Sequence, residues 1–311
     1  MGCFLFKKIS FYFFAMNFQT PLRGFVNHLV YSVWITLGAV LQVCMTYRLL
    51  RTYPLLDSLL LVTAGGTYMA YNVAKLRQIL QIMIHNGPKC NNSGDILAIV
   101  ELFIFLFAAV VASYGFGHLH LFEQIWVFLS AIIAIGYSIP LWPTTVNGSK
   151  NRYCLPFRRI KTLKTHLVAL IWTISTALLP ALHIGEPAAS LALWLIVVAR
   201  YLFVFALTLP FDIRDMELDQ RMGMQTLPLK IGVERTMNLA KVCLILDAFF
   251  ITLHYLFLSY RPITWLMMLI SFGACMYFSK GVQRQKSLWY YTFALDGLFV
   301  WQAIGILLAP R

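Results

Sequence analysis

The sequence predicts an all-α polytopic membrane protein, on three observations. Of 311 residues 60% are hydrophobic and only 12% charged, where soluble domains run near a quarter charged. Mean hydropathy is +0.73. The apolar residues fall in blocks of about 20, the length that crosses a hydrocarbon core as a helix. This composition excludes a soluble globular domain, a disordered chain and a secreted disulfide scaffold.

Apolar runs between breakers place nine helices, in order, after a short arm over residues 1–22. The Phe4–Met16 run of the arm is too short to span and is broken by Lys7 and Lys8. No small-residue cleavage site follows it. Phe6 stands where myristoylation requires Ser or Thr. Met16 is an alternative start. A single nine-helix domain is expected over residues 23–311. Its helices are expected roughly at 26–47, 55–74, 95–115, 121–141, 164–184, 188–210, 237–258, 262–279 and 289–309.

The formal net charge of +13 raises the question of nucleic acid, and its distribution answers it. Basic residues lie between apolar blocks and alternate in density, as the positive-inside rule requires. The arm holds Lys7, Lys8 and Arg23, and the second connection Lys75, Arg77 and Lys89. The fourth holds Lys150, Arg152, Arg158, Arg159, Lys161 and Lys164, the sixth Arg214, Arg221, Lys230, Arg235 and Lys241, the eighth Lys280, Arg284 and Lys286. The odd connections carry only Arg48, Arg51 and Arg261. The even connections are therefore expected in the cytoplasm, with the N-terminus inside, the C-terminus outside and no nucleic-acid partner. The six cysteines contain no C-x-x-C pair, so neither a zinc or redox site nor a disulfide framework is expected.

Four of the 12 acids crowd into eight residues: Asp212, Asp215, Glu217 and Asp219. On a helix, Asp212, Asp215 and Asp219 project at about 0°, −60° and −20°, on one face. Carboxylates so placed repel one another unless cations neutralise them. Oxygen ligands at this spacing suit Mg²⁺, which takes one or two carboxylates plus substrate phosphates. The plainer reading is a solvated loop face with Arg214 and Arg221 as local partners. Against it, the cluster directly follows an apolar span ending in Pro210, and ionisable groups at membrane depth are functional by default.

The stretch Phe211–Gly232 resembles the second aspartate-rich motif of the UbiA superfamily of intramembrane prenyltransferases, D-x-x-D-x-x-x-D followed by G-x-x-T-L-P and a glycine. Asp212, Asp215, Asp219, Gly223, Thr226, Leu227, Pro228 and Gly232 fall in place. The segment from Tyr137 through Pro140 to Arg158, Arg159 and Lys161 is similar to that family's basic connection between helices 4 and 5. The resemblance implies nine helices around a central cavity open to the cytoplasm, where a polyprenyl diphosphate and an aromatic, quinone-precursor or lipid acceptor meet. It implies Mg²⁺ on Asp212, Asp215 and Asp219, which are then the catalytic residues. It places Arg158, Arg159 and Lys161 on the diphosphate, and Asn72, Lys75 and Arg77 on the opposite wall.

The first family motif, N-D-x-x-D-x-x-x-D, departs from its pattern here. Asn72 matches the leading residue, but the three acids are Val73, Leu76 and Leu80. Lys75 and Arg77 could neutralise diphosphate in place of one metal; the protein could bind a prenyl lipid without turning it over; or its substrate could need one metal site. The plain reading of both cations is a positive-inside anchor. Two function classes therefore stand, prenyl transfer and non-catalytic prenyl-lipid binding. A transporter is disfavoured because the charges gather at one face rather than at broken helices near mid-membrane.

The remaining polar residues carry blander expectations. His118, His120 and Glu123 read as interfacial rather than as a metal site, and His166 as capping or hydrated rather than as a phosphate contact. Asp247 and Asp296 read as polar helix contacts, and Gly65-Gly66 as a close helix approach.

Overall fold

The computed structural model describes residues 21–50, 57–86, 93–138, 142–145, 152–155, 163–221, 223–282 and 289–309. Each predicted apolar segment coincides with a helix. These are α1 (Pro21–Leu49), α2 (Ser58–Asn86), α3 (Ser93–Gly117), α4 (Leu121–Ser138), α5 (Leu163–His183) and α6 (Leu191–Arg214). Two short helices follow, α7 (Met216–Arg221) and α8 (Leu227–Ile231), then α9 (Val233–Leu258), α10 (Pro262–Gly281) and α11 (Tyr290–Leu308). Seven of them, α1, α3, α5, α6, α9, α10 and α11, are long and apolar enough to cross a membrane; α4 is apolar but shorter. The chain is an integral membrane protein.

The largest departure from the predicted boundaries is α2, which continues to Asn86 instead of ending near residue 74. Tyr71-Asn72-Val73-Ala74-Lys75-Leu76-Arg77 is thus helix interior, free of Gly and Pro. Between α4 and α5 a small antiparallel hairpin pairs β1 (Trp142–Thr145) with β2 (Arg152–Leu155), with Trp142 opposite Leu155.

Helix α6 is the axis of the bundle, packed between α9 and α5, while α1 lies against α11 and α2. The core around α6 contains Phe203, Val204, Phe205, Leu207 and Leu209, with Trp172 of α5, Leu244 of α9 and Tyr291, Leu298 and Phe299 of α11. Trp172 stacks on Phe299 at 4.5 Å between ring centroids, and Phe203 meets Phe299 edge-on. Lipid faces carry large apolar side chains instead, such as Phe103, Phe107 and Val110 on α3.

Small residues decide where helices touch. A Cβ added at Gly65 of α2 would stand 2.4 Å from the Ala108 carbonyl oxygen of α3, whereas one at Gly66 meets nothing within 4 Å. The expected close approach is real and rests on the first glycine. Two π-turns, Ile174–Leu178 in α5 and Tyr290–Leu295 in α11, interrupt the α ladder. Such turns release carbonyls, and side chains of α1 take them up. Thr46 Oγ1 donates to Thr176 O at 2.6 Å and Trp34 Nε1 to Thr292 O at 3.0 Å. Pro180, four residues after Thr176, has no N–H to offer that carbonyl.

Candidate functional site

The acidic cluster sits where α6 gives way to α7. The helix ends with Asp215 as its C-cap at φ −88°, ψ 2°, yet Asp215 N–H still bonds Phe211 O and Asp219 N–H bonds Asp215 O at 2.8 Å. The chain then doubles back. Gly223 at φ +68° and Gly232 at φ +86° occupy conformations that side chains strain to adopt. Between them Thr226 is the extended N-cap of α8, with Pro228 in its first turn, where a missing N–H costs nothing. The G-x-x-T-L-P…G spacing is thus the recipe for a tight return that seats the acids against α5.

Two of the three aspartates converge and the third turns aside. Lys164 Nζ, at the start of α5, lies 2.9 Å from Asp212 Oδ1 and 3.2 Å from Asp219 Oδ2. The other Asp212 oxygen accepts a short hydrogen bond from Thr165 Oγ1. Asp212 and Asp219 are both buried. Asp215 is gripped by Arg214, whose Nε and Nη2 donate to its two oxygens at 2.8 and 3.2 Å. The Arg214 guanidinium lies over the rings of Phe211 and Tyr291, at 5.1 and 4.8 Å from their centroids. Burial pushes the Asp219 carboxyl above the ordinary aspartate range, the opposing attraction of Lys164 being smaller.

On the other wall, Asn72 is buried and occupied. Its Oδ1 lies 2.8 Å from His28 Nε2 and accepts from Ser32 Oγ at 3.2 Å, while its Nδ2 donates to Tyr68 O. Lys75 forms an ion pair with Glu101 of α3, and Arg77 is exposed. The expected diphosphate contacts Arg158, Arg159 and Lys161 lie outside the described residues. The walls meet through tyrosines: Tyr71 and Tyr31 pack edge to face at 6.2 Å. Tyr31 also lies within electrostatic reach of Asp296, Arg214 and Asp215. Asp296 of α11 lies within electrostatic reach of Arg214, and its Oδ2 is buried without a hydrogen-bond partner among the described residues.

Sequence reasoning missed Lys164, Thr165, Tyr31 and Tyr291. Lys164 carried a signal: a lysine opening an apolar run, in a chain whose acids crowd into one cluster. The tyrosines carried none among the 15 of this chain. His118, His120 and Glu123 do not converge. Glu123 accepts from His120 N–H and pairs with His183 at 2.7 Å. His166 reaches Tyr201 Oη at 2.6 Å. Among the described residues no three metal-ligating side chains gather at one point. A cavity of about 360 Å³, lined by Tyr255, Ser259, Tyr260 and Arg261, opens at the far end of α9, a helix length from the aspartates.

The fold matches solved structures. A UbiA homolog from Aeropyrum pernix K1 aligns over 89% of this chain and 96% of its own, at TM-score 0.56 and 14% identity. The chain has the UbiA fold. A UbiA homolog from Archaeoglobus fulgidus bound to GPP and Mg²⁺ aligns over 91% of this chain and 99% of its own, at TM-score 0.53 and 14% identity. A digeranylgeranylglyceryl phosphate synthase does so over 91% and 100%, at TM-score 0.53 and 12% identity. No protein-family model and no curated protein matches the sequence.

Proposed function

We propose that this chain is an intramembrane prenyltransferase that moves a prenyl group from its diphosphate to a lipid or aromatic acceptor. The observation that carries this reading is the convergence of buried Asp212 and Asp219 on one cation position, at the α6 terminus of a UbiA fold. UbiA homologs of the same fold are bound to GPP or DMAPP with Mg²⁺. Two carboxylates and a phosphate oxygen are a sufficient protein and substrate share for one Mg²⁺, so the residues fit a single ion. Asp212 and Asp219 would hold it, with Asp215 at the rim. Bound there, the metal supplies Lewis-acid stabilisation of a leaving diphosphate.

The protein's own groups do the rest. Lys164 and Arg214 offer positive charge beside the aspartates, and Arg158, Arg159 and Lys161 are the sequence neighbours from which further diphosphate contacts come. Tyr31, Tyr71 and Tyr291 lie beside the aspartates and Arg214, and aromatic faces attract cations. The site belongs at the cytoplasmic face, with the N-terminus inside and the C-terminus outside, as the basic connections direct.

One observation favours a second reading, non-catalytic binding of a prenyl lipid. The positions of the first acidic motif hold Val73, Leu76 and Leu80, and the polar residues beside them, Asn72 and Lys75, are engaged by His28, Ser32 and Glu101. Diphosphate release from purified protein supplied with a polyprenyl diphosphate, Mg²⁺ and a panel of acceptors separates the two. Mg²⁺-dependent release that vanishes in D212A/D215A/D219A supports transfer. Mg²⁺-independent binding of neutral prenols as tight as that of the diphosphate, without release, supports the binder.

A further inference from the structure

Lys164 stands where a metal would. Its ammonium touches one oxygen of Asp212 and one of Asp219, and Thr165 takes the second Asp212 oxygen, so the pair that faces a common point is already satisfied by the protein itself. Asp215 is engaged by Arg214. The first acidic motif cannot compensate, because Val73, Leu76 and Leu80 replace its carboxylates. A divalent ion entering this site meets an ammonium in its place, and the two cannot share the same pair of oxygens within van der Waals distance.

We propose that Lys164 is the resident cation of this site: it competes with divalent metal for Asp212 and Asp219 and yields only when an anionic diphosphate draws its ammonium away. The inference rests on the reading of these two aspartates as the cation ligands. In the free protein the ammonium offsets carboxylate repulsion, which metal would otherwise have to relieve. With diphosphate present, Lys164 gains phosphate oxygens as partners, and the aspartates are freed for the metal that the same diphosphate carries. Metal and substrate then enter together, and the metal-free protein stays folded because its buried carboxylates never face one another uncompensated.

The test is Mn²⁺ binding to the full-length protein without diphosphate, read by electron paramagnetic resonance, in wild type, K164Q and K164R. K164Q keeps a donor for one carboxylate while removing the charge. It should bind one Mn²⁺ at least tenfold more tightly than wild type, D219N should abolish that gain in the K164Q background, and K164R should bind as weakly as wild type. Equal affinity in wild type and K164Q overturns the competition and leaves the aspartates standing as ligands. Absence of binding in K164Q overturns both. A second measurement needs no variant. Labelling of Lys164 by acetic anhydride, followed by mass spectrometry, should fall severalfold when wild type is given geranyl diphosphate with Mn²⁺, because the ammonium then lies against phosphate oxygens beneath the bound substrate. Unchanged labelling at saturating ligand overturns the displacement.

Discussion

Asp219 is the residue on which the proposed chemistry turns, because it is buried, shares its cation with Asp212, and has a carboxyl raised by desolvation. An acid so raised keeps its proton to higher pH than an exposed aspartate, and only its ionised form holds a cation. Cation binding is therefore expected to fade as pH falls, beginning above the range in which a free aspartate titrates. A pH series of Mn²⁺ affinity in K164Q checks this, and a profile that follows an ordinary aspartate would refute it. Replacing Asp219 by Asn should lower diphosphate release by roughly 100-fold or more, the scale of losing a group that stabilises developing charge. Membrane yield should be unchanged, since an amide fills the same volume, and an unaltered rate would remove Asp219 from the site.

At the scale of elements, contacts between helices depend on what α1, α2 and α6 present to their neighbours. Gly65→Ala forces a Cβ against the backbone of α3, and overpacking of this kind costs about 1–3 kcal/mol. Gly66→Ala meets open space and should cost far less, so thermal denaturation in detergent should separate the two variants clearly. Deeper in the bundle, Arg200 of α6 is buried and donates to Gln42 Oε1 of α1, and Gln42 Nε2 donates to Phe299 O and Gln302 Oε1 of α11. Three helices are tied through one amide. Among the described residues, Gln42→Leu leaves the buried guanidinium only Thr176 Oγ1, at 3.4 Å, as a side-chain acceptor, a loss of about 1–3 kcal/mol. A melting temperature equal to that of wild type would show that the network is dispensable.

For the whole molecule, the alternation of Lys and Arg predicts which way the bundle faces. A phosphatase fused after Arg311 should be active outside the cytoplasm, while cysteines placed in the connection between α2 and α3 should react only with reagents that enter the cell. An inactive fusion with outside-reactive cysteines would invert the topology and place the aspartates on the opposite surface. Orientation matters to function because the diphosphate head is charged and must meet the site from water, whereas the prenyl tail partitions into the apolar interior.

Hydropathy alone determined the helical segments, since the cost of an unsatisfied backbone in lipid leaves helices as the solution for apolar runs of this length. The acidic cluster and its return loop were also legible, because residues at spacings of three and four share a helix face and positive φ selects glycine. The π-turns were not, nor the reach of α2 to Asn86, which local propensity leaves open and packing settles. Above all, the sequence put Lys164 among the topological charges and Asp215 among equal ligands. Only the packing of α5 against α6 brought Lys164 between Asp212 and Asp219, and only the end of α6 turned Asp215 to Arg214. Partners 47 to 55 residues apart are chosen by how helices pack, and the pattern along any one of them carries no record of it.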